Sequence, residues 1–229
     1  MCVELQIDPS TVFSPTALGE MFVSELMKNP LAGASVLDVG CGSGLIGIAA
    51  GKLGAEVTLL DVNPVALETA QMNAKANEVT ARGVLSDGLD ALKSDQTFDF
   101  IVANTPAQDR GGVSLSAPVS DGRTGGRLLN KLVKTAGRHL NPGGVFLTWA
   151  PDISDLKTVR KAMREHWDNV EICRQFEHYL CGPRAGLIDL NDDVERWVNE
   201  GSVVRTNEHY HGVGKMYALR RTLTHRSAA

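Results

Sequence analysis

The sequence predicts an α/β domain: a mostly parallel sheet with helices on both faces. Three observations carry that expectation. Short β-rich runs alternate with stretches of helical periodicity almost to the end of the chain. A glycine-rich turn within VLDVGCGSGLIGIAA, residues 36–50, follows the first run and opens the first helical stretch after it. No repeat, low-complexity segment or linker divides the 229 residues, a length suited to one well-buried core, so 1–229 reads as a single domain.

In chain order, residues 1–33 form a lead-in to the first strand, Ser35–Val39. Helical periodicity follows at Leu45–Leu53, then a second strand at Glu56–Leu60. Asn63 caps the next helix, Pro64–Asn77, with proline at its first position. Thr80–Leu85 and Phe98–Ala103 are the third and fourth strands, and Asn104–Gly126 is a loop rich in glycine, serine and proline. A helix at Arg127–Leu140, a turn at Asn141-Pro142-Gly143-Gly144 and a fifth strand at Gly144–Ala150 come next. Ile153–Trp167 is helical, Asn169–Cys173 is the sixth strand, and Gly212–Arg221 is a last strand without a helix. Gln175–His211, between the last two strands, exceeds what a hairpin needs and is expected to be a substrate-side insertion. Within it Asn191 reads as the cap of a short helix, with Asp192 and Asp193 in its first turn.

Composition excludes several function classes. The net charge of −4 argues against a broad nucleic-acid footprint. From Ser202 onward five cations (Arg205, Lys215, Arg220, Arg221, Arg226) face one anion (Glu208), which makes the tail +4 and the remainder −8. These are the solvated ends of an edge strand or a local patch for an acidic or phosphorylated partner. The four cysteines (Cys2, Cys41, Cys173, Cys181) form no C-x-x-C pair, so a structural zinc site lacks support and no metal is expected. MCVELQIDPSTVFSP shows no basic region followed by an apolar run, and no stretch approaches the roughly 18 apolar residues of a membrane span. A cytosolic chain is the expectation.

The glycine turn fits two cofactor patterns. Gly42, Gly44 and Gly47 spell G-x-G-x-x-G, the dinucleotide pattern, while Gly40, Gly42 and Gly44 spell the G-x-G-x-G of S-adenosylmethionine (SAM) enzymes. Either lets backbone approach a ligand at a helix N-terminus, and either expects an acid such as Asp61 at the end of the second strand for the ribose hydroxyls. Three features favour SAM. Asp38, in the strand before the glycines, suits an ammonium and would repel a pyrophosphate. Ser86-Asp87 follows the third strand, where SAM enzymes hold the adenine, and the fourth strand ends in FDFIVANTPAQ. Gly40, Cys41, Gly42 and Gly44 are thus expected to line the cofactor, with Asp38 at its amine, Asp61 and Val62 at the ribose, Asp87 at the adenine and Asn104 also in contact with it. The local alternatives are backbone capping by Asp38 and support of the following helix by Asp61.

VLDVGCGSG, LLDVNPVALETAQMNA and DFIVANTPAQ together resemble the HemK-type methyltransferases, a group of class I SAM-dependent enzymes that includes release-factor glutamine methyltransferases. The likeness continues through DGRTGGRLLNKLVKTAGRHLNPGGVFLTWAP, and VFSPTALGEMFVSEL, with Phe13, Pro15 and Thr16, is similar to the segment leading into the family's cofactor cleft. It covers roughly residues 12 to 173. The resemblance implies a Rossmann-like sheet of seven strands, the seventh antiparallel beside the fifth. It also implies direct methyl transfer to a nitrogen of an amide, amine or small metabolite, free or part of a protein. In that family the fourth strand ends in Asn-Pro-Pro-aromatic, where the asparagine side chain and the next carbonyl hold the acceptor NH2. Asn104, Thr105 and Pro106 occupy these positions, while Thr105 replaces a proline and Ala107 the aromatic. The acceptor is therefore expected to depend partly on other groups, such as Gln175–His211. Alternatives are methylation of an oxygen or carbon on a specialised small molecule, a non-catalytic SAM-binding or partner-binding module, and, more distantly, an NAD-dependent oxidoreductase. His209-Tyr210-His211 could serve an oxygen acceptor as base or form a polar surface loop. Trp197, Arg110 and Arg123 are further candidates for the acceptor pocket.

Overall fold

Burial on both faces makes the strand β1 (Ser35–Val39) the centre of the sheet: four of its five residues are buried, as a parallel strand covered on both sides requires. It pairs in parallel with β2 (Glu56–Asp61) on one side and β4 (Phe98–Ala103) on the other. Outward from β2 lies β3 (Ala81–Leu85), and outward from β4 lies β5 (Leu140–Pro151). Two long strands, β6 (Asn169–Cys181) and β8 (His209–Arg220), complete the order β3-β2-β1-β4-β5-β8-β6, with β8 antiparallel to both β5 and β6. A short β7 (Val203–Thr206) pairs with β8. The computed structural model describes residues 1–12, 15–105, 126–151, 156–181, 199, 203–206 and 209–221. Among them no helix is long and apolar enough to cross a membrane.

Helices α1 (Ala17–Leu26), α2 (Leu45–Lys52) and α3 (Pro64–Ala76) cover one face, where Phe22, Ile48 and Ala70 join Leu59, Val102 and Leu147 in one cluster. On the other face α4 (Arg127–Thr135) and α5 (Lys157–His166) bury Leu129, Leu132, Val159 and Met163 against Leu37, Ile101 and Phe146. Trp167 locks this layer, its indole N–H donating to the Val133 carbonyl at 2.7 Å. The strand order reverses between β1 and β4, and that opens a crevice at their carboxyl ends. Val39 and Ala103 share a register level there, so Gly40 and Asn104 leave the sheet side by side.

The expected seven-stranded sheet with an antiparallel last strand is present, and four local expectations change. The lead-in contains α1. The turn expected at Asn141–Gly144 lies inside β5, where the register to β4 shifts between Phe98 and Phe100 and Gly143 takes φ +80°. The helix expected at Arg127–Leu140 tightens into a 3-10 turn at Ala136–His139. Both ends of the expected insertion belong to strands: Gln175–Cys181 continues β6, and His209–His211 begins β8 rather than forming a loop. The helix expected after Asn191 lies outside the described residues.

These longer strands matter for the crevice. β8 meets β5 only from Gly214, opposite Pro151, so its residues His209–Val213 run beyond the carboxyl end of β5. Flanked by the end of β6 and by β7, they form a three-stranded ribbon projecting roughly 16 Å at about 3.3 Å per residue. Its base is packed: Phe176 lies 6.0 Å from Trp149, ring to ring, and a Cβ on Gly214 would sit 2.6 Å from the Phe176 ring.

Candidate functional site

At the end of β1 the chain turns through three left-handed glycines, Gly40 (φ +69°), Gly42 (φ +53°) and Gly44 (φ +88°), a conformation costly for residues with a Cβ. Backbone bonds wrap this loop around the end of β2. The Gly40 and Cys41 amides both donate to the Leu60 carbonyl (2.8 and 3.0 Å), and Gly44 donates to Cys41 O (2.8 Å). A Cβ on Gly40 would meet nothing within 4 Å, so the loop faces open space there. Gly44 and Gly47 serve packing instead. A Cβ on Gly44 would lie 3.1 Å from Ala70 Cβ on α3, and one on Gly47 would lie 2.5 Å from Leu59 Cδ2 on β2. The last glycine of G-x-G-x-x-G is thus explained by helix–sheet contact alone.

Two carboxylates stand behind the loop. Asp38 is 1% exposed, and its Oδ2 accepts the Gly47 N–H at 2.9 Å. Asp61 is also buried; its Oδ2 accepts from Gly42 N–H (3.0 Å) and its Oδ1 from Asn63 N–H (2.9 Å). Burial pushes the Asp38 carboxyl up to about 7, with the Asp61 charge adding to the rise and the Gly47 bond opposing it. Asp61 is raised by burial too, against the amides of Asn63, Gly42 and Val62. Both carboxyls therefore do cap local amides, and both are desolvated, so a nearby cation would favour their ionised forms. Burial and these same two charges hold the Cys41 thiol well above its usual range, so it acts as a small protonated wall.

Around this centre the other expected residues divide. Asn63 caps α3, accepting from Val65 N–H at 3.0 Å. Ser86 is buried, donating its amide to the Asp61 carbonyl (2.9 Å) and accepting from Ala91 N–H through Oγ (3.0 Å). Asp87 is exposed at the rim, 3.8 Å from Lys131 Nζ, which lies closer to Asp90 (2.7 Å). Val62 and Leu85, 47% and 55% exposed, leave apolar surface at the ends of β2 and β3.

Asn104 is half-buried, and β5 pins the backbone on either side of it. Thr148 Oγ1 donates to the Ala103 carbonyl at 3.0 Å, and the Trp149 indole N–H donates to the Thr105 carbonyl at 3.1 Å. The Thr105 carbonyl, expected to hold the acceptor, is thus already engaged on the protein side. Thr148 and Trp149 were not expected from the sequence; their one signal is a polar residue in the otherwise apolar run VFLTWA. Phe13, Pro106, Ala107, Arg110, Arg123 and Trp197 lie outside the described residues.

The donor set fits SAM: open space before Gly40, two buried carboxyls for a cation, and uncovered apolar surface at Val62 and Leu85. Comparison with known proteins agrees. Residues 7–181 match the family model described as "Methyltransferase small domain". The chain is 39% identical over 134 residues to the ribosomal protein L11 methyltransferase of Cupriavidus pinatubonensis, covering 56% of this chain and 42% of that one. It is 36% identical over 159 residues to its namesake in Laribacter hongkongensis, covering 67% and 48% respectively. The chain thus spans less than half the length of these two relatives. Its fold is shared by the ribosomal protein L11 methylase of Lactobacillus delbrueckii subsp. bulgaricus, with TM-score 0.53, 21% identity and coverage of 89% and 78%. It is shared too by the T. thermophilus 16S rRNA N2 G1207 methyltransferase in complex with AdoMet and guanosine, with TM-score 0.57, 20% identity and coverage of 94% and 44%. The relatives carry L11 methyltransferase names rather than HemK names, so the kinship shown is at the level of the broader domain. The chain belongs to the methyltransferase small domain family and is a SAM-dependent methyltransferase.

Proposed function

We propose that this chain methylates a nitrogen on a protein acceptor in the cytosol, with both substrates meeting at the carboxyl ends of β1 and β4. The observation that carries this reading is Asn104, held between two tethered carbonyls on the strand next to the glycine loop. The HemK-type resemblance points to nitrogen, and the relatives' names point to a protein. In this reading Gly40, Cys41, Gly42 and Gly44 line SAM, Asp38 meets its ammonium, Asp61 and Val62 its ribose, and Asp87 the adenine region. SAM would supply a methyl group on a sulfonium: as the new N–C bond forms, the S–C bond breaks to leave neutral S-adenosylhomocysteine, and the proton on the nitrogen passes to solvent. Such a leaving group makes alignment of the acceptor lone pair more important than a strong base. Asn104 Oδ1 would accept from the acceptor N–H, while Thr105 and Pro106 hold the turn. The β6–β8–β7 ribbon would supply a wall beside the acceptor. In the test, isotope-labelled SAM is supplied with ribosomal protein L11, with small amines and with small alcohols. Label on a protein nitrogen is expected; label only on an alcohol or on carbon overturns the proposal.

The Asp38 carboxyl gives a pH signature. It must be ionised to meet an ammonium, so SAM affinity is expected to rise with pH through about 7, with a proton released on binding. For the unliganded fold the sign reverses. The folded state holds this proton more tightly than the unfolded chain, so stability from this group is full at low pH and is lost as pH climbs from 3.8 towards about 7. Asp38→Asn is expected to flatten both dependences; calorimetric titrations and denaturant unfolding across pH 5–9, a range of about two units either side, check them.

A further inference from the structure

Burial alternates in strand-like fashion along the first residues of the chain, Val3 and Leu5 packing inward while Glu4 and Gln6 are exposed, yet among the described residues they pair with no strand. Asn73 on α3 and Asn77 at its C-cap take the place of the missing neighbour. Gln6 N–H donates to Asn73 Oδ1 (2.8 Å), and Asn73 Nδ2 donates back to the Gln6 carbonyl (3.1 Å). Glu4 repeats the pattern with Asn77: its N–H donates to Oδ1 (3.0 Å), and Nδ2 donates to its carbonyl (2.6 Å). The spacing explains the match. Four residues of helix rise about 6 Å, and two residues of extended chain span about 6.6 Å.

Asn73 does one thing that Asn77 does not. Its second amide hydrogen goes to the carbonyl of Ser43, inside the glycine loop, at 3.0 Å. The next amide, Gly44 N–H, bonds to Cys41 O, so both polar atoms of the Ser43–Gly44 peptide are fastened. Asn73 is 1% exposed and Ser43 is buried, so losing this donor would leave a buried carbonyl unpaired between two glycines free to reorient.

We infer that Asn73 is a positioning residue for SAM binding: it fixes the glycine loop by tying Ser43 to the docked N-terminal arm. This rests on the reading of that loop as the SAM-binding element. Asn73→Asp keeps an acceptor for Gln6 N–H but removes both donors, and it should raise the Kd of SAM about tenfold. Asn77→Ala releases the Glu4 half of the arm and leaves Ser43 bonded, so it should change that Kd less than about threefold. Gln6→Pro removes one arm bond at an exposed side chain and should fall between the two. In the unaltered chain, coupling must be reciprocal: saturating SAM should slow amide exchange at Glu4 and Gln6, by the factor by which deleting residues 2–6 weakens SAM. That arm measurement decides the matter even if Asn73→Asp fails to fold. The inference is overturned if Asn73→Asp, Gln6→Pro and the truncated chain all bind SAM within about twofold of the parent while their unfolding midpoints fall, or if SAM leaves arm exchange unchanged. A parent chain that binds no SAM would instead sink the reading of the loop itself.

Discussion

Asp61→Ala is expected to weaken SAM binding by about 1–3 kcal/mol, roughly five- to 150-fold, and to lower the unfolding midpoint as well. Two separate losses add. The carboxylate proposed to meet the ribose hydroxyls would be gone, and the amides of Gly42 and Asn63 would lose their acceptors. The first loss acts on the ligand alone, whereas the second loosens the glycine loop and the start of α3 in the free protein. Asp61→Asn separates them, because it keeps one acceptor oxygen and turns an NH2 towards one of the two amides. It should therefore recover part of the fold and little of the affinity. Calorimetric titration with SAM and S-adenosylhomocysteine, beside denaturant unfolding, measures both effects. An affinity equal to the parent's would reduce Asp61 to a capping residue.

What could be read before the structure follows from how local each signal is. β1, β2 and β4 are short apolar runs bounded by turn residues, and their limits differ from expectation by at most one residue. The cap at Asn63 is equally local, and its bond to Val65 is present. β6 and β8 are long because they pair with each other, across residues forty positions apart at Gln175 and Lys215, and no short window reveals that pairing. The Asn-Pro-Gly-Gly segment carries a turn signature, yet pairing with β4 absorbs it as an irregularity inside β5.

The site shows the same division. Asp38, Asp61 and the glycines stand out because their spacing is itself the signal. Asn73, Asn77, Thr148 and Trp149 matter through backbone partners 30 to 73 positions away. An asparagine in a helix or a threonine in a strand says nothing alone about which distant carbonyl it holds. The same limit applies to Thr105, whose expected free carbonyl is taken up by an indole no nearby residue announces.

Asn104→Ala is expected to have the larger effect on chemistry. Its side chain is the one group at the end of β4 proposed to hold the acceptor, and its backbone is already fixed by Thr148 and Trp149. Removing the amide should therefore leave the loop in place and release only the acceptor. Misplacing a reacting atom by about 1 Å can cost roughly 10²-fold in rate, and a fall in kcat of that order is expected. SAM affinity should stay within about twofold, since no proposed SAM contact other than Asn104 itself changes. Trp149→Phe offers a milder version, because it frees the Thr105 carbonyl while keeping most of the buried ring.

The most direct measurement is a single-turnover methyl-transfer assay on the parent and Asn104→Ala, with SAM affinity determined on the same samples. The account predicts a transfer rate lower by about two orders of magnitude at nearly unchanged SAM affinity. An unchanged rate, or a loss that only tracks weaker SAM binding, would contradict the placement of the acceptor beside Asn104.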